Sequence, residues 1–451
     1  MRKLIVLSSD NYVRNVVTSG ALDGVTDEDT IWVVSDRLVS RRDEVEARPG
    51  RVVGIHDPLE RAHEHNRLRT LLLYHYRSRS RTMAIKAQLH PRSRRLRYTI
   101  ESLPGVRRIV MRSRLRRLGT HPALHALMEH ERPDIVIAPS GGTDTLVSDA
   151  IASGRQLGIP TLVLVQNWDN LSSKGAFPLK PDYLGVWGEQ SAEQAERIHE
   201  IPRDRVRPLG APQFEAYFKH RAGSTASYFP FRYVLFAGCF APFDERDALV
   251  RLDRAIEDGG LDVKVVYRPH PHREARLVDD RVDQAAFRHV VLDPQLVPAY
   301  RAHWEGMDRH AKPPLPALDY YPSLFEHAEL VICPLSTMLV EAAIFERRVI
   351  VIAYDDGIHP NSPATVVQYD HFGGLDRIDG FTLVREAAAL GPTLTAALSA
   401  PTEGLPSERE QIGWWLYHDD RSYAERLQAF VADIARRESV PAPEALSAAI
   451  R

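Results

Sequence analysis

Arg268 and His270 stand two residues apart in Tyr267-Arg268-Pro269-His270-Pro271. Ser336 and Thr337 stand together before an apolar segment that carries Glu341. A guanidinium, an imidazole and paired hydroxyls are groups that hold a phosphate, through charge-assisted and ordinary hydrogen bonds. Pro269 and Pro271 remove backbone donors and fix φ, so a stiff, non-helical turn is expected around His270. Ser336 or Thr337 is expected at the N-cap of a helix beginning at Met338, which would add helix-terminal N–H groups. Together these residues read as a phosphate site. Each also has a plainer reading: a supporting arginine, a structural histidine in a proline turn, an N-cap without a ligand, a solvated helix carboxylate.

These groups need a sheet to position them. Val263 to Tyr267, Leu330 to Cys333 and Val349 to Ala353 are β-branched or aliphatic runs expected to be buried strands. In open α/β sheets ligands bind outside the carboxyl ends of the strands, where the Arg268 turn and the Ser336 hydroxyl would lie. Tyr233 to Ala237, ending in Gly238, opens this half, and Asp244 to Ile256 is helical in pattern. The stretch from Asp293 to Pro316 reads as irregular, and the pattern after Gly380 as helical.

The first half repeats the architecture. Strands are expected at Leu4 to Leu7, Ile31 to Val34, Asp134 to Ala138, Thr161 to Val165, Asp182 to Gly188 and Val206 to Leu209, with a weaker one at Arg51 to Ile55, interrupted by Gly54. Val13 to Val17 begins a helical pattern. Pro139-Ser140-Gly141-Gly142-Thr143-Asp144 is a glycine turn into a helix from Thr145 to Leu157, which Gly158 and Pro160 stop. That turn could cradle an anion, or be purely structural. Gln166 to Gly175 is a polar loop in which Asp169 and Lys174 could serve a hydroxyl-bearing substrate, unless it is a capped turn with Trp168 packed inward. Ser191 is expected to cap a helix toward His199.

With 451 residues, two or three domains are expected. The boundaries read as 1–221, 228–420, a helix at 421–437 and a frayed tail at 438–451, with Ala222 to Ser227 as the linker. A formal net charge of −2 gives no whole-chain attraction to a polyanion. Charge is instead local: Arg77 to Arg117 holds thirteen arginines and Lys86 against one acid, Glu101. This window reads either as solvated surface helices or as a basic amphipathic face for anionic lipid. Sparse aromatics and the lack of a recognition motif argue against nucleic acid. No apolar run approaches the ~20 residues of a membrane span, and a cytoplasmic chain, peripheral at most, is expected. Cys239 and Cys333 read as small core residues.

Two α/β halves, a linker and a long terminal helix resemble the GT-B glycosyltransferase architecture. Tyr267 to Pro271, Leu324 to Ile332 and Ser336-Thr337 with Glu341 look like the CDP-glycerol glycerophosphotransferase and bacterial surface-polysaccharide transferase group. Cys333-Pro334-Leu335 stands where the glycerophosphotransferases usually have an acidic-aromatic pair, so the likeness carries the phosphate site better than glycerol-phosphate transfer. The resemblance implies two Rossmann-like domains facing a cleft, a terminal helix crossing back, and a hinge near Ser224. It implies transfer of a sugar or polyol phosphate from a nucleotide-activated donor, with a cytidine nucleotide expected from the His-Pro turn, to a glycan or lipid-linked acceptor. No DxD-like site stands out in the sequence, so transfer without a metal or cofactor is expected. Arg268, His270, Ser336 and Thr337 would then hold the donor phosphate and Glu341 the ribose. An inverting reaction would need a base in the first half, for which Asp144, Asp169 and Asp10 are the candidates, Asp144 foremost for its place beside the glycine turn. A sugar-nucleotide 2-epimerase and a non-catalytic nucleotide-sugar-binding protein are the rival expectations for the same fold.

Overall fold

The structure is a computed structural model that describes residues 1–174, 176–220, 226–240, 242–274, 282–305, 320–400 and 408–439. The chain divides into two compact units, one of residues 1–213 with the chain from Trp414 onward, the other Phe214–Gly413.

The first unit is a seven-stranded parallel sheet in the order β3-β2-β1-β4-β5-β6-β7. Its strands are β1 Lys3–Leu7, β2 Ile31–Ser35, β3 Arg51–Ile55, β4 Ile135–Ser140, β5 Thr161–Val165, β6 Tyr183–Val186 and β7 Val206–Pro208. Continuous apolar runs form these strands because both faces are covered. Leu4 and Val6 join one core with Val136, Val163 and helix residues Leu146 and Ile151. Ile5 and Leu7 join the opposite core with Trp32, Ile137 and Leu164. The second face is closed by the last helix, Tyr423–Ser439, through Leu427, Phe430 and Ile434. Gly188 permits this return, since a Cβ there would lie 2.5 Å from the Trp415 carbonyl carbon. Gly54, the doubtful residue of β3, is needed because a Cβ would meet Asp36 Oδ1 at 2.1 Å.

The second unit holds a six-stranded parallel sheet, β10-β9-β8-β11-β12-β13. It is built from β8 Tyr233–Ala237, β9 Lys264–Arg268, β10 Val290–Leu292, β11 Ala328–Pro334, β12 Val349–Ile352 and β13 Phe381–Val384. In both sheets the order reverses beside the first strand of the unit, the topology of a dinucleotide-binding fold.

Several expectations are corrected. The segment after Gly380 begins with strand β13 and only then becomes helical, at Leu390–Ser399. Four residues pairing with β12 were too few to stand out against the helical pattern that follows. Within the stretch read as irregular, Leu296–Trp304 is a helix and residues 306–319 lie outside the described residues. Gly188, not Ser191, caps the helix Glu189–Arg197, and Ser191 is buried inside it. Val13–Thr18 is a π-helix following a single α-turn, Asp10–Tyr12. The linker residues 222–225, the hinge at Ser224 and the tail from residue 440 lie outside the described residues.

Candidate functional site

In the second unit β9 and β11 flank β8, so their carboxyl ends lie about 10 Å apart at one sheet edge. The Arg268 turn leaves β9 there, Gly238-Cys239-Phe240 leaves β8, and Leu335-Ser336-Thr337 leaves β11. The sheet therefore brings the five candidate residues of this unit to the point where strand order reverses. Gly238 lets the middle turn press against its neighbour: a Cβ would lie 3.0 Å from His270 N and 3.1 Å from Arg268 O.

Arg268 is buried, 7% exposed. Its Nη2 donates to the Tyr321 hydroxyl at 2.7 Å, and its Nε is buried with no hydrogen-bond partner. Burial disfavours this charge, but the field of Tyr321, Tyr300 and Glu341 outweighs it and holds the guanidinium above its ordinary range. Glu341 is buried too, not a solvated helix carboxylate, and accepts from the Tyr217 hydroxyl at 3.3 Å. His270 is half-buried with its ring 5.5 Å from that of the exposed Phe240.

Pro271 opens a one-turn helix, Pro271–Glu274, where a non-helical continuation was expected. Proline suits a first helical position, since its missing N–H would have had no partner there. Beneath the turn, Glu245 is fully buried. It accepts from Cys239 N at 2.9 Å and Tyr267 Oη at 2.5 Å, and pairs with Arg273 at 3.0 Å.

Ser336 and Thr337 are half-buried before the helix Met338–Ile344. Thr337 holds the cap position in a helical conformation and makes no side-chain cap bond, while Ser336 Oγ accepts from Met338 N at 3.2 Å. The amides of Leu339, Val340 and Glu341 reach the carbonyls of Ser336 and Thr337. The amides of Met338 to Glu341, helix-terminal donors expected for a phosphate, are thus engaged by the turn itself. Cys333 Sγ lies 3.2 Å from Ser336 Oγ, and burial pushes its thiol up to about 12, so it stays protonated.

In the first unit the matching edge carries Asp10, Asp144 and Asp169, in three different situations. Asp10 accepts from Ser40 N at 2.8 Å, Ser40 Oγ at 2.7 Å and Arg41 N at 3.1 Å, which ties the loop after β2 to the end of β1. Asp144 accepts from Ser8 at 3.0 Å, Tyr12 at 2.9 Å, Ser140 at 2.6 Å and Gly141 N at 3.0 Å. It joins the ends of β1 and β4, and its lone pairs are occupied. Among the described residues the Asp169 carboxylate accepts from its near neighbours Asn170, at 3.2 Å, and Ser173. Trp168 does pack inward, edge-on to Trp415 at 5.3 Å.

Three cations stand near these carboxylates; Lys174 was expected from its polar loop, whereas Arg69 and Lys86 carried no signal in the sequence. Arg69, on the helix Leu59–Tyr76, is 5% exposed; burial lowers it to about 10 against the pull of Asp144, and its Nη1 has no hydrogen-bond partner. Lys86 donates to the Ser173 carbonyl, and burial with the repulsion of Lys174 lowers it to about 8. Lys174 is exposed, its Cβ 3.9 Å from where a Gly142 Cβ would stand. Arg69 and Lys86 lie in or beside the arginine-rich window, and only the fold separates them from that surface charge.

The sequence matches no family model and no curated protein. The fold does have solved counterparts. UDP-GlcNAc 2-epimerase from Methanocaldococcus jannaschii is 11% identical with a TM-score of 0.51, over 96% of this chain and 100% of that one. S. aureus MnaA in a co-structure with UDP is 11% identical with a TM-score of 0.53, over 98% of each chain. The fold is GT-B, two Rossmann-like units with the last helix returning to the first.

Proposed function

We propose that the chain is a glycosyltransferase that moves a sugar or a polyol phosphate from a nucleotide-activated donor, cytidine-based, to a glycan or lipid-linked acceptor. The observation that carries this reading is the buried, partly unpartnered guanidinium of Arg268 at the strand-order reversal of the second unit, with His270, Ser336, Thr337 and Glu341 on the turns around it. Negative charge grows on the leaving phosphate as its bond to the transferred group breaks. A fixed cation in a low-dielectric setting stabilises that charge without reorganising. Glu341, held by Tyr217, is suited to accept from ribose hydroxyls. Asp169 is the favoured base over Asp144 and Asp10, because fewer donors occupy it. No metal or cofactor enters this scheme.

A thermal-shift panel of CMP, CDP, UDP and GDP tests the donor site. A ligand at ~100 times its Kd stabilises by about 2.7 kcal/mol. His270→Ala should remove most of the shift; an undiminished response would exclude His270 from the site.

A second reading, sugar-nucleotide 2-epimerisation, draws on two carboxylates, Asp144 and Asp169, each on the loop that follows one of the adjacent strands β4 and β5. Removing and returning a proton at one carbon needs two such groups. Incubation of nucleotide sugar without acceptor separates the readings: an epimer of the donor supports the second, and unchanged donor the first.

A further inference from the structure

Helices Arg92–Glu101 and Pro104–Leu118 in the first unit carry a surface that folding does not explain. The second buries no residue at all. Leu96 and Ile109 are 65% and 71% exposed, and Ile100, Leu103 and Val106 are also exposed. Arginines stand between these aliphatics. Beside them, a cleft of about 910 Å³ runs along the helices Pro104–Leu118 and Thr145–Leu157. Arg107, Arg108, Arg112, Arg116 and Arg155 line it, with Met111 and Leu115 as apolar wall.

Charges so placed would ordinarily be neutralised by carboxylates. Glu101 is the only acid in the window, and it is held by Arg97 at 2.8 Å and Arg114 at 3.2 Å. Among the described residues no ion pair involves Arg108, Arg112, Arg116 or Arg155, and Arg107 Nε is buried without a hydrogen-bond partner. The cleft is also braced. Arg61 donates to the Leu118 carbonyl at 2.8 Å and to Asp149 Oδ2 at 2.9 Å, which fixes the end of one helix to the middle of the other.

We propose that this face seats the protein on a bilayer rich in anionic lipid, with Leu96, Ile100, Leu103, Val106 and Ile109 entering the acyl boundary and the arginine cleft receiving a lipid phosphate. Charge complementarity selects the occupant, since five like charges without counterions favour an anionic partner. The interleaved aliphatics select lipid over nucleic acid, which would be met by exposed stacking aromatics. Tyr98, the one aromatic on these two helices, is buried. No helix among the described residues is long and apolar enough to cross a membrane, so the contact is a surface one.

The test is co-sedimentation of the full chain with vesicles of phosphatidylcholine alone or mixed equally with phosphatidylglycerol, at physiological salt and without nucleotide. Binding at least tenfold tighter to the mixed vesicles is expected. Arg112→Glu with Arg116→Glu should reduce it at least tenfold, and Leu96→Ser with Ile109→Ser should reduce it and make the remainder more salt-sensitive. All four side chains are exposed, and unchanged thermal melting would verify folding. Equal binding to both vesicle types, wild-type binding by both double variants, or displacement from vesicles by single-stranded RNA would overturn the proposal. Because no nucleotide is present, failure here leaves the donor-site reading untouched.

Discussion

The guanidinium of Arg268 donates through Nη2 to the hydroxyl of Tyr321 at 2.7 Å and lies over the same ring, 5.5 Å from its centre. One aromatic thus supplies both a hydrogen bond and a π-face, an arrangement that suits a planar fork and not an ammonium. Arg268→Lys should weaken nucleotide binding by about 1.5–3 kcal/mol, roughly tenfold to 100-fold. Tyr321→Phe keeps the ring and loses the hydroxyl, so it should weaken binding less. Calorimetric titration with the nucleotide that gives the largest thermal shift measures both. Wild-type affinity in Arg268→Lys would show that the guanidinium serves the fold alone.

Asp149 is buried between Arg61 and His65. Burial alone would raise its carboxyl, but hydrogen bonds from Arg61 and His65 outweigh that and hold it below the ordinary carboxylate value. A depressed folded value means the unfolded chain binds the proton first as pH falls. This contribution is therefore present above the unfolded value of about 4 and lost as pH drops through the folded one. Asp149→Asn should cost about 1–3 kcal/mol at pH 7, by taking the charged partner from the half-buried Arg61 and from the buried His65. Its urea midpoint should approach that of the wild type below about pH 4.

Lys86 runs in the opposite sense. With its ammonium lowered to about 8, the unfolded chain holds more protons between about pH 8 and 10.4. Stability from this residue should rise with pH across that window, a gain that Lys86→Met should abolish in urea titrations at pH 7.5 and 9.5. If the charged form assists an anionic acceptor, turnover should fall over the same window, and Lys86→Arg should move the fall to higher pH.

Gly188→Ala would force a methyl group to within 2.6 Å of the Trp414 and Trp415 carbonyl oxygens, which are backbone atoms and cannot swing aside. Overpacking of this kind costs about 1–3 kcal/mol. Limited proteolysis should show the segment from Trp414 released earlier than in the wild type; an unchanged pattern would mean that the close approach is relieved at no cost.

The strands that read most clearly from sequence were those covered on both faces. Thr161–Val165 is one, because no polar residue interrupts its apolar run. The edge strand Arg51–Ile55 read weakly because its one irregular residue, Gly54, is demanded by a neighbour 18 residues earlier, and a local window cannot see that. The Arg268–His270 turn was legible because proline leaves a mark on sequence. Arg69 and Lys86 were not, since a buried cation and a solvated one look alike until a fold surrounds them. The four donors on Asp144 were equally invisible, for they come from Ser8, Tyr12, Ser140 and Gly141, spread over 133 positions. Asp144 looked like a base because it stood beside glycines. The fold adds a second part, that of a clasp between the ends of β1 and β4.

The first sheet is finished only by the last helix, with some 200 residues of the second unit made in between. At about 5–20 residues per second, a ribosome needs roughly 10–40 s to cross that interval. Throughout it, the apolar face destined for Leu427, Phe430 and Ile434 waits uncovered on a nascent chain. Premature stops within the second unit should therefore leave a first unit that chaperones retain or proteases remove, even though every one of its strands has been made.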